Sequence, residues 1–258
     1  ATPAIHCNNT FYEIAPDGYD REITFDMGQE VAGMIDFEII SPAGAVLDFY
    51  GVEYIDMEGN RQEMDGVCNG MRYITTNGRQ NYTSHLPRGF RYIIMSIRNF
   101  NETVRLRFVR VLSSTHPVTQ TGYFLCNDYK INKIWEISKR TSILCMFDTS
   151  VDCPGHEQSF WTGDFRNEAL IGHYLFGAYE HTDHCLKVGM GSLKTAPLPM
   201  ASVPSIPQGV MPTWALLYML AYYELYLYSG DREILEKHYD RFALLIENCL
   251  KMTDETNL

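Results

Sequence analysis

The chain of 258 residues carries 21 Lys and Arg against 32 Asp and Glu, a formal net charge of -11, with 45% hydrophobic and 21% charged residues. That length suits two ordinary domains, each burying its own core, and the balance is that of a folded globular protein. The acid excess excludes a surface built to neutralise phosphates, and no apolar run is long enough for a transmembrane segment, so neither nucleic acid nor membrane is expected as a partner.

From Glu22 to Ser113 the sequence reads as short strands separated by turns. REITFDMG, VAGMIDFEII, AVLDFYGVEY, MRYITTNG, RYIIMSIRNF and TVRLRFVRVLSS are rich in β-branched and aromatic residues, with Ser41-Pro42-Ala43-Gly44 and Asn77-Gly78 as turn signals. In TVRLRFVRV, Val104, Leu106, Phe108, Val109 and Val111 share the segment with Arg105, Arg107 and Arg110, an alternation with a slip near Phe108. This spacing predicts an antiparallel β-sandwich domain over 1–116.

After His116-Pro117 the hydrophobic period lengthens from two to about 3.6. Asn127 or Asp128 is placed to cap a helix from Tyr129 to about Met146, with Ile131, Ile134, Trp135, Ile137 and Ser138 along its inner side. A second helix is expected after Trp161-Thr162-Gly163-Asp164, carrying Ala169, Leu170, His173, Tyr174 and Phe176 up to Gly177, and a third from His181 to about Lys194. The loop from Thr195 to Pro212 holds five prolines and is too long for a simple connection, which suggests a site-forming loop. Trp214 to Tyr228 is apolar nearly all round, as expected of a helix buried inside a larger helical assembly. Ser229-Gly230-Asp231 ends it and caps a last helix from Arg232 to about Lys251. An inner helix needs neighbours on every side, so 117–258 reads as the first part of a larger helical domain. The seven cysteines, Cys7, Cys68, Cys126, Cys145, Cys153, Cys185 and Cys249, form no C-x-x-C pair, and their odd number fits buried free thiols better than a disulfide framework.

The segment Asp152 to Asp164, DCPGHEQSFWTGD, gathers Asp152, Glu157, Asp164, His156 and Trp161 around Pro154, Gly155 and Gly163. Cleaving a glycosidic bond needs a protonated carboxyl to help the leaving oxygen depart and a second carboxylate to activate water or stabilise the oxocarbenium-like transition state. A flat aromatic such as Trp161 offers an apolar face to a sugar ring. The structural readings are an ion pair of Glu157 with Arg166, a helix N-cap at Asp164 and a turn at Asp152.

With Asp152, Cys153, Pro154, Glu157, Trp161, Gly163 and Asp164 in place, the segment resembles the signature D-C-P-x-R-D-E-R-x-G-W-T-G-D of bacterial α-L-rhamnosidases, glycoside hydrolase family 78. The resemblance extends to ITFDMGQEVAGMIDFEIISPAGAVLDFYGVEY and GFRYIIM in the sandwich, and to DYKINKIWEISKRT and ALLYMLAYYELYLYSGD in the helices. It implies an antiparallel β-sandwich followed by the N-terminal part of an (α/α)6 barrel, and inverting hydrolysis of terminal α-L-rhamnosyl or related deoxy-sugar residues without a cofactor. On that likeness Glu157 is the general acid, Asp152 and Asp164 hold sugar hydroxyls, and Trp161 lies beside the sugar. The general base is then expected beyond Leu258, and the 258 residues alone are expected to lack activity. The segment departs from the signature in its shorter Pro154-to-Glu157 spacing, in Gly155-His156 where x-R-D is usual, and in Gln158 in place of Arg, which marks a divergent branch.

Beside the motif, His156 is a candidate substrate contact and Trp214 and Gln208 are candidates for shaping a subsite, whereas Arg166, Asn167 and Glu168 read as solvent-facing or supporting. His181, Asp183, His184 and Cys185 do not complete a metal site, so no metal is expected. The expected partner is a carbohydrate, and a non-catalytic carbohydrate-binding protein is the rival reading.

Overall fold

The computed structural model describes residues 10–62, 69–204 and 209–253, so Cys7, Cys68 and Gln208 lie outside the described residues. The chain divides into two compact units, Ala1–Thr115 with Cys153–Glu157, and His116–Asp152 with Gln158–Leu258.

The first unit is an antiparallel β-sandwich of β1 (Tyr12–Ile14), β2 (Arg21–Ser41), β3 (Val46–Val52), β4 (Gly70–Ile74), β5 (Gly78–Thr83), β6 (Arg88–Arg98) and β7 (Val104–Ser113), paired in the order β1-β7-β2-β6-β3-β4 with β5 against β2. Its organiser is β2. Arg21 to Gly33 pairs with β6, whereas Gly33 to Ile40 pairs with β7 and Asp36 to Ser41 with β5. REITFDMG and VAGMIDFEII, which read as two strands, are thus one, interrupted by a register shift between Asp26 and Val31 where Gly28 has φ 79° and donates its N–H to Asp26 Oδ1 at 2.8 Å. The slip expected near Phe108 is present: Glu38 faces Phe108 while Ile39 faces Leu106. Strand β5, GRQNYT, escaped the sequence reading because polar residues fill it; the Gln80 side chain fixes it by accepting the Thr76 N–H and donating to the Thr76 carbonyl, both at 2.7 Å.

Alternation decides what each face does. Phe37 and Ile39 point into the core, where the Phe37 ring stacks on Phe49 at 4.9 Å and meets Tyr73 edge-on at 5.2 Å. Asp36 and Glu38 point the other way and are buried, and each is matched across strands: Asp36 with Arg110 at 2.6 Å, Glu38 with Arg79 at 2.6 Å and Arg107 at 2.8 Å.

The second unit is helical: α1 (Tyr129–Leu144), α2 (Thr162–Phe176), α3 (Tyr179–Met190), α4 (Pro212–Ser229) and α5 (Arg232–Leu250), with a short 3-10 turn at Gly191–Lys194. Asp128 caps α1 and Asp231 caps α5. Two expectations about α1 and α2 need correction. Asp164 is not the N-cap of α2; Trp161 holds that position and Asp164 lies within the first turn. The side of α1 bearing Ile131, Ile134 and Ile137, expected to face inward, is exposed, while Trp135 packs with Met146, Leu175 and Phe176.

The core of the unit forms where α4 meets α2 and α3. Tyr218 and Tyr222 are fully buried, and both hydroxyls donate to the Leu186 carbonyl, Tyr222 at 3.1 Å, so their polar ends are satisfied inside an apolar cluster. Contrary to the all-round burial expected of α4, Leu216, Leu220, Tyr223 and Leu227 are exposed, although Ala215, Tyr218, Ala221, Tyr222 and Leu225 are buried. No helix among the described residues is long and apolar enough to cross a membrane. The five described cysteines are free thiols; Cys145 and Cys185 are buried, as expected, whereas Cys126, Cys153 and Cys249 are half-buried.

Candidate functional site

The acidic segment is shared out by the fold: Cys153–Glu157 clusters with the strands, while Asp152 and the residues from Gln158 onward cluster with the helices. In the sheet unit, the Pro154-Gly155 backbone lies so close to the strands that a Cβ on Gly89 would fall 2.3 Å from the Pro154 carbonyl carbon, and one on Gly155 2.4 Å from Glu53 Oε1. Pro154 and Gly155 are buried; His156 and Glu157 are exposed. The Glu157 N–H donates to Cys153 Sγ at 3.1 Å, so that cysteine supports the turn.

In the helical unit, the proline-containing loop fixes the first turn of α2. Trp161 bridges Ser202, the Thr162 N–H donates to the Ala201 carbonyl at 2.8 Å, the Thr162 hydroxyl donates to Met200 at 3.1 Å, and the Val203 N–H donates to Phe160 at 3.1 Å. Gly163 lies against the face of Trp214, where an added Cβ would sit 2.4 Å from the indole Cγ. The indole Nε1 is buried without a hydrogen-bond partner among the described residues. Phe160 belongs to the helical core, edge-on to Phe165 at 5.3 Å.

Asp152, Asp164 and Glu168 belong to this unit. Asp164 is exposed in the first turn of α2, where the helix dipole favours its charge. Asp152 is half-buried and its Oδ1 accepts the Ser159 N–H at 2.9 Å. Glu168, one turn after Asp164, is partly buried and hydrogen-bonded to the Ser150 side chain; burial, with the charges of Asp164 and Asp152 adding to it, pushes its pKa up to about 8. Glu168 lines a closed cavity of about 10 Å³, near the lower limit for one water molecule, together with Ser142, Cys145, Ser150, His181 and Thr182. The sequence had placed it on a solvent-facing or supporting side, and its spacing from Asp164 was the available signal for the deeper position. Arg166 is bound by Glu224 on α4, with Nε to Oε2 at 2.9 Å.

His181, one of the residues weighed for a metal, is buried on α3 with its ring 4.5 Å from that of His116, and burial pushes its pKa down to about 4. His184 is exposed, with Nε2 3.5 Å from Asp148. Cys185 is fully buried, accepts the Ser150 N–H at 3.4 Å, and has its thiol pushed up to about 12 by burial.

Residues 119–257 match the family described as the bacterial alpha-L-rhamnosidase six-hairpin glycosidase domain, and residues 18–113 match the bacterial alpha-L-rhamnosidase concanavalin-like domain. The chain is 24% identical over 263 residues to an alpha-L-rhamnosidase of Formosa agariphila, covering 93% of this chain and 27% of that protein. A crystal structure of a glycoside hydrolase family 78 rhamnosidase of Bacillus sp. GL1 superposes with a TM-score of 0.89 at 38% identity, covering 94% of this chain and 25% of that one. A rhamnosidase from Klebsiella oxytoca with rhamnose bound shares the fold, with a TM-score of 0.77 at 16% identity, over 95% of this chain and 50% of that one. The chain therefore spans about a quarter of the length of the Formosa and Bacillus proteins.

Gly163→Ala tests the close contact at the start of α2. In an open helix the change would stabilise by up to about 1 kcal/mol. Against Trp214 it should instead destabilise by about 1–3 kcal/mol, read as a lower urea midpoint with altered tryptophan fluorescence.

Glu168 also predicts a pH dependence. The folded state keeps its proton up to about pH 8, against an ordinary value of 4.5, so the stability it contributes is complete below 4.5 and is lost as pH rises to 8. Buried His173 and His181, both lowered from 6.5 to about 4, act oppositely, stabilising above 6.5 and losing that contribution as pH falls to 4. Comparing the protein with its Glu168→Gln variant isolates the carboxyl: the variant should be more stable by roughly 2–4 kcal/mol above pH 8, with the difference closing below pH 4.5, in thermal melts across that range.

Proposed function

Because the chain belongs to the bacterial α-L-rhamnosidase six-hairpin glycosidase family, we propose that the protein of which it forms part hydrolyses terminal α-L-rhamnosyl or related deoxy-sugar residues with inversion at the anomeric carbon. The observation that carries this reading is the differentiation of the carboxyls in the helical unit. Asp164 is solvent-facing at a helix N-terminus, Asp152 is set by Ser159, and Glu168 is partly buried and proton-holding. Acid–base cleavage of a sugar needs carboxyls with separated roles.

In this mechanism Glu157 protonates the glycosidic oxygen as the bond to the anomeric carbon breaks. A carboxylate outside these 258 residues takes a proton from the water that attacks the opposite face; inversion requires the two carboxyls to stand roughly 6.5–9.5 Å apart. The small share of the Formosa and Bacillus proteins that the chain spans supports placing that base elsewhere in the protein. Asp152 and Asp164 accept hydrogen bonds from sugar hydroxyls, His156 adds a contact, and Trp161 and Trp214 supply apolar surface. We assign residues 1–116 to the sandwich domain and 117–258 to the first part of the barrel. No step in this chemistry calls for a cofactor.

In the full-length protein, Glu157→Gln should lower turnover of an aryl α-L-rhamnoside by about 100- to 10,000-fold while leaving the Kd for rhamnose nearly unchanged. Asp152→Asn and Asp164→Asn should instead weaken rhamnose binding in calorimetry. Unchanged turnover in Glu157→Gln removes that residue from the mechanism, and rhamnose binding without turnover by the unmodified protein selects the carbohydrate-binding reading.

A further inference from the structure

We propose that the turns at one end of the sandwich form a saccharide site of their own, which includes no residue of the acidic segment and in which Tyr19, Asp20 and Asn101 hold a neutral sugar above Phe100. The inference goes beyond the glycosidase reading, because it concerns binding by the strand unit and needs no turnover.

Strand register brings the site together. Arg21 stands opposite Ile97 and Val46 opposite Arg98, so the turn entering β2, the turn from β2 to β3 and the turn from β6 to β7 gather at the same end of β6. Gly18 to Asp20, Ala43 and Asn99 to Asn101 line a cleft of about 390 Å³ there, within the roughly 300–1,000 Å³ of small-molecule sites. The turns are fixed from behind. Asn99, at φ 55°, donates from Nδ2 to the Gly44 carbonyl at 2.8 Å, which ties the second turn to the third. Asp17 accepts the Tyr19 N–H at 3.3 Å and pairs with Arg21, which holds the first, and Phe100 packs on the sandwich core.

These ties leave the recognition groups uncommitted. Among the described residues the Tyr19 hydroxyl, the Asp20 carboxylate and the Asn101 side-chain amide make no hydrogen bond or ion pair, and Tyr19 is 75% exposed. A sugar ring answers such a set: its hydroxyls donate to a carboxylate and both donate to and accept from an amide, while its C–H face lies on an aromatic ring. The neighbouring cleft at Tyr12 shows the contrast. Its charged groups are already matched, Glu13 with Arg105, Arg21 with Asp17 and Glu22 with Arg61. No Lys or Arg among the described residues lines the Tyr19 cleft, and Asp20 repels anions, so the sugar it suits is neutral.

The experiment watches the cleft by 19F NMR in the full-length protein labelled with 5-fluorotryptophan, where Tyr19→Trp keeps an aromatic ring in place and adds one assignable resonance. L-rhamnose, D-glucose and D-galactose are titrated, and at least one should shift that resonance saturably, whereas D-glucuronate should not. Adding Asp20→Ala or Asn101→Ala to Tyr19→Trp should weaken binding about tenfold or more, and Glu13→Gln in the neighbouring cleft should leave it within about twofold. Diazirine derivatives of the same neutral sugars, photolysed with the unmodified protein, should label peptides containing Tyr19 or Asn101, which keeps the test independent of the reporter. A resonance unmoved by every neutral sugar together with no label on either peptide overturns the proposal, as does binding that survives both alanine changes or equal binding of D-glucuronate. No arm measures hydrolysis, so a protein that cleaves rhamnosides but binds nothing here, or the reverse, separates this inference from the glycosidase reading.

Discussion

The carboxyls of the helical unit depend on how the first turn of α2 is tied down. A helix start leaves backbone N–H groups unpaired, and the usual remedy is a side-chain cap such as Asp or Ser. Here the loop after the 3-10 turn supplies a carbonyl instead, with Ala201 accepting from Thr162, while Trp161 at the N-cap makes no side-chain hydrogen bond to the helix. The consequence is chemical. Asp164, which the sequence offered as a cap, stands in the first turn with its carboxylate exposed, and the dipole of α2 favours its charge. The clamp leaves no room for a side chain at the next position, since Gly163 meets the indole of Trp214 face-on.

The chain buries acids in two different ways. In the sandwich, Asp36 and Glu38 on the outward face of β2 are each answered by arginines from neighbouring strands. In the helical unit Glu168 receives no such answer, because Arg166 on the same helix is committed to Glu224, and burial is tolerated only with the proton in place. The first arrangement fixes strand register. The second keeps a titratable group near neutrality, the condition expected near acid–base chemistry rather than in a structural sheet.

Much of the fold was legible in the sequence because periodicity reports burial. Alternation located β3, β4, β6 and β7 and the slip opposite Glu38, and the 3.6-residue period with Asp128 and Asp231 located α1 and α5. The reading weakened where local pattern and tertiary surroundings part. GRQNYT has almost no apolar content, and β5 is defined by pairing with β2 and by the hydrogen bonds of Gln80. Apolar residues surround α4, so its sequence gives no direction; only packing of Tyr218 and Tyr222 on α3 reveals which side is inside. Glu168 was missed as a principal group for a related reason. Spacing places it below Asp164, but depth depends on Ser150 and α3, which are distant in sequence.

The placement of Glu157 has its own chain of support, and it runs through the strands. Asn69 donates from Nδ2 to the Gly51 and Gly89 carbonyls, both at 3.0 Å, joining the ends of β3 and β6. Gly51 admits no Cβ because the Phe90 ring lies 2.6 Å from where it would stand, and Gly89 admits none because the Pro154 backbone is there. Gly155 in turn rests against the Glu53 carboxylate. Each contact involves backbone or a buried side chain, so the segment leading to Glu157 has little freedom to shift. The glycines that separate this motif from an ordinary acidic turn therefore act through distance. They let two stretches of chain approach closely enough that the strands, rather than the side chains of the motif, determine where its glutamate is presented.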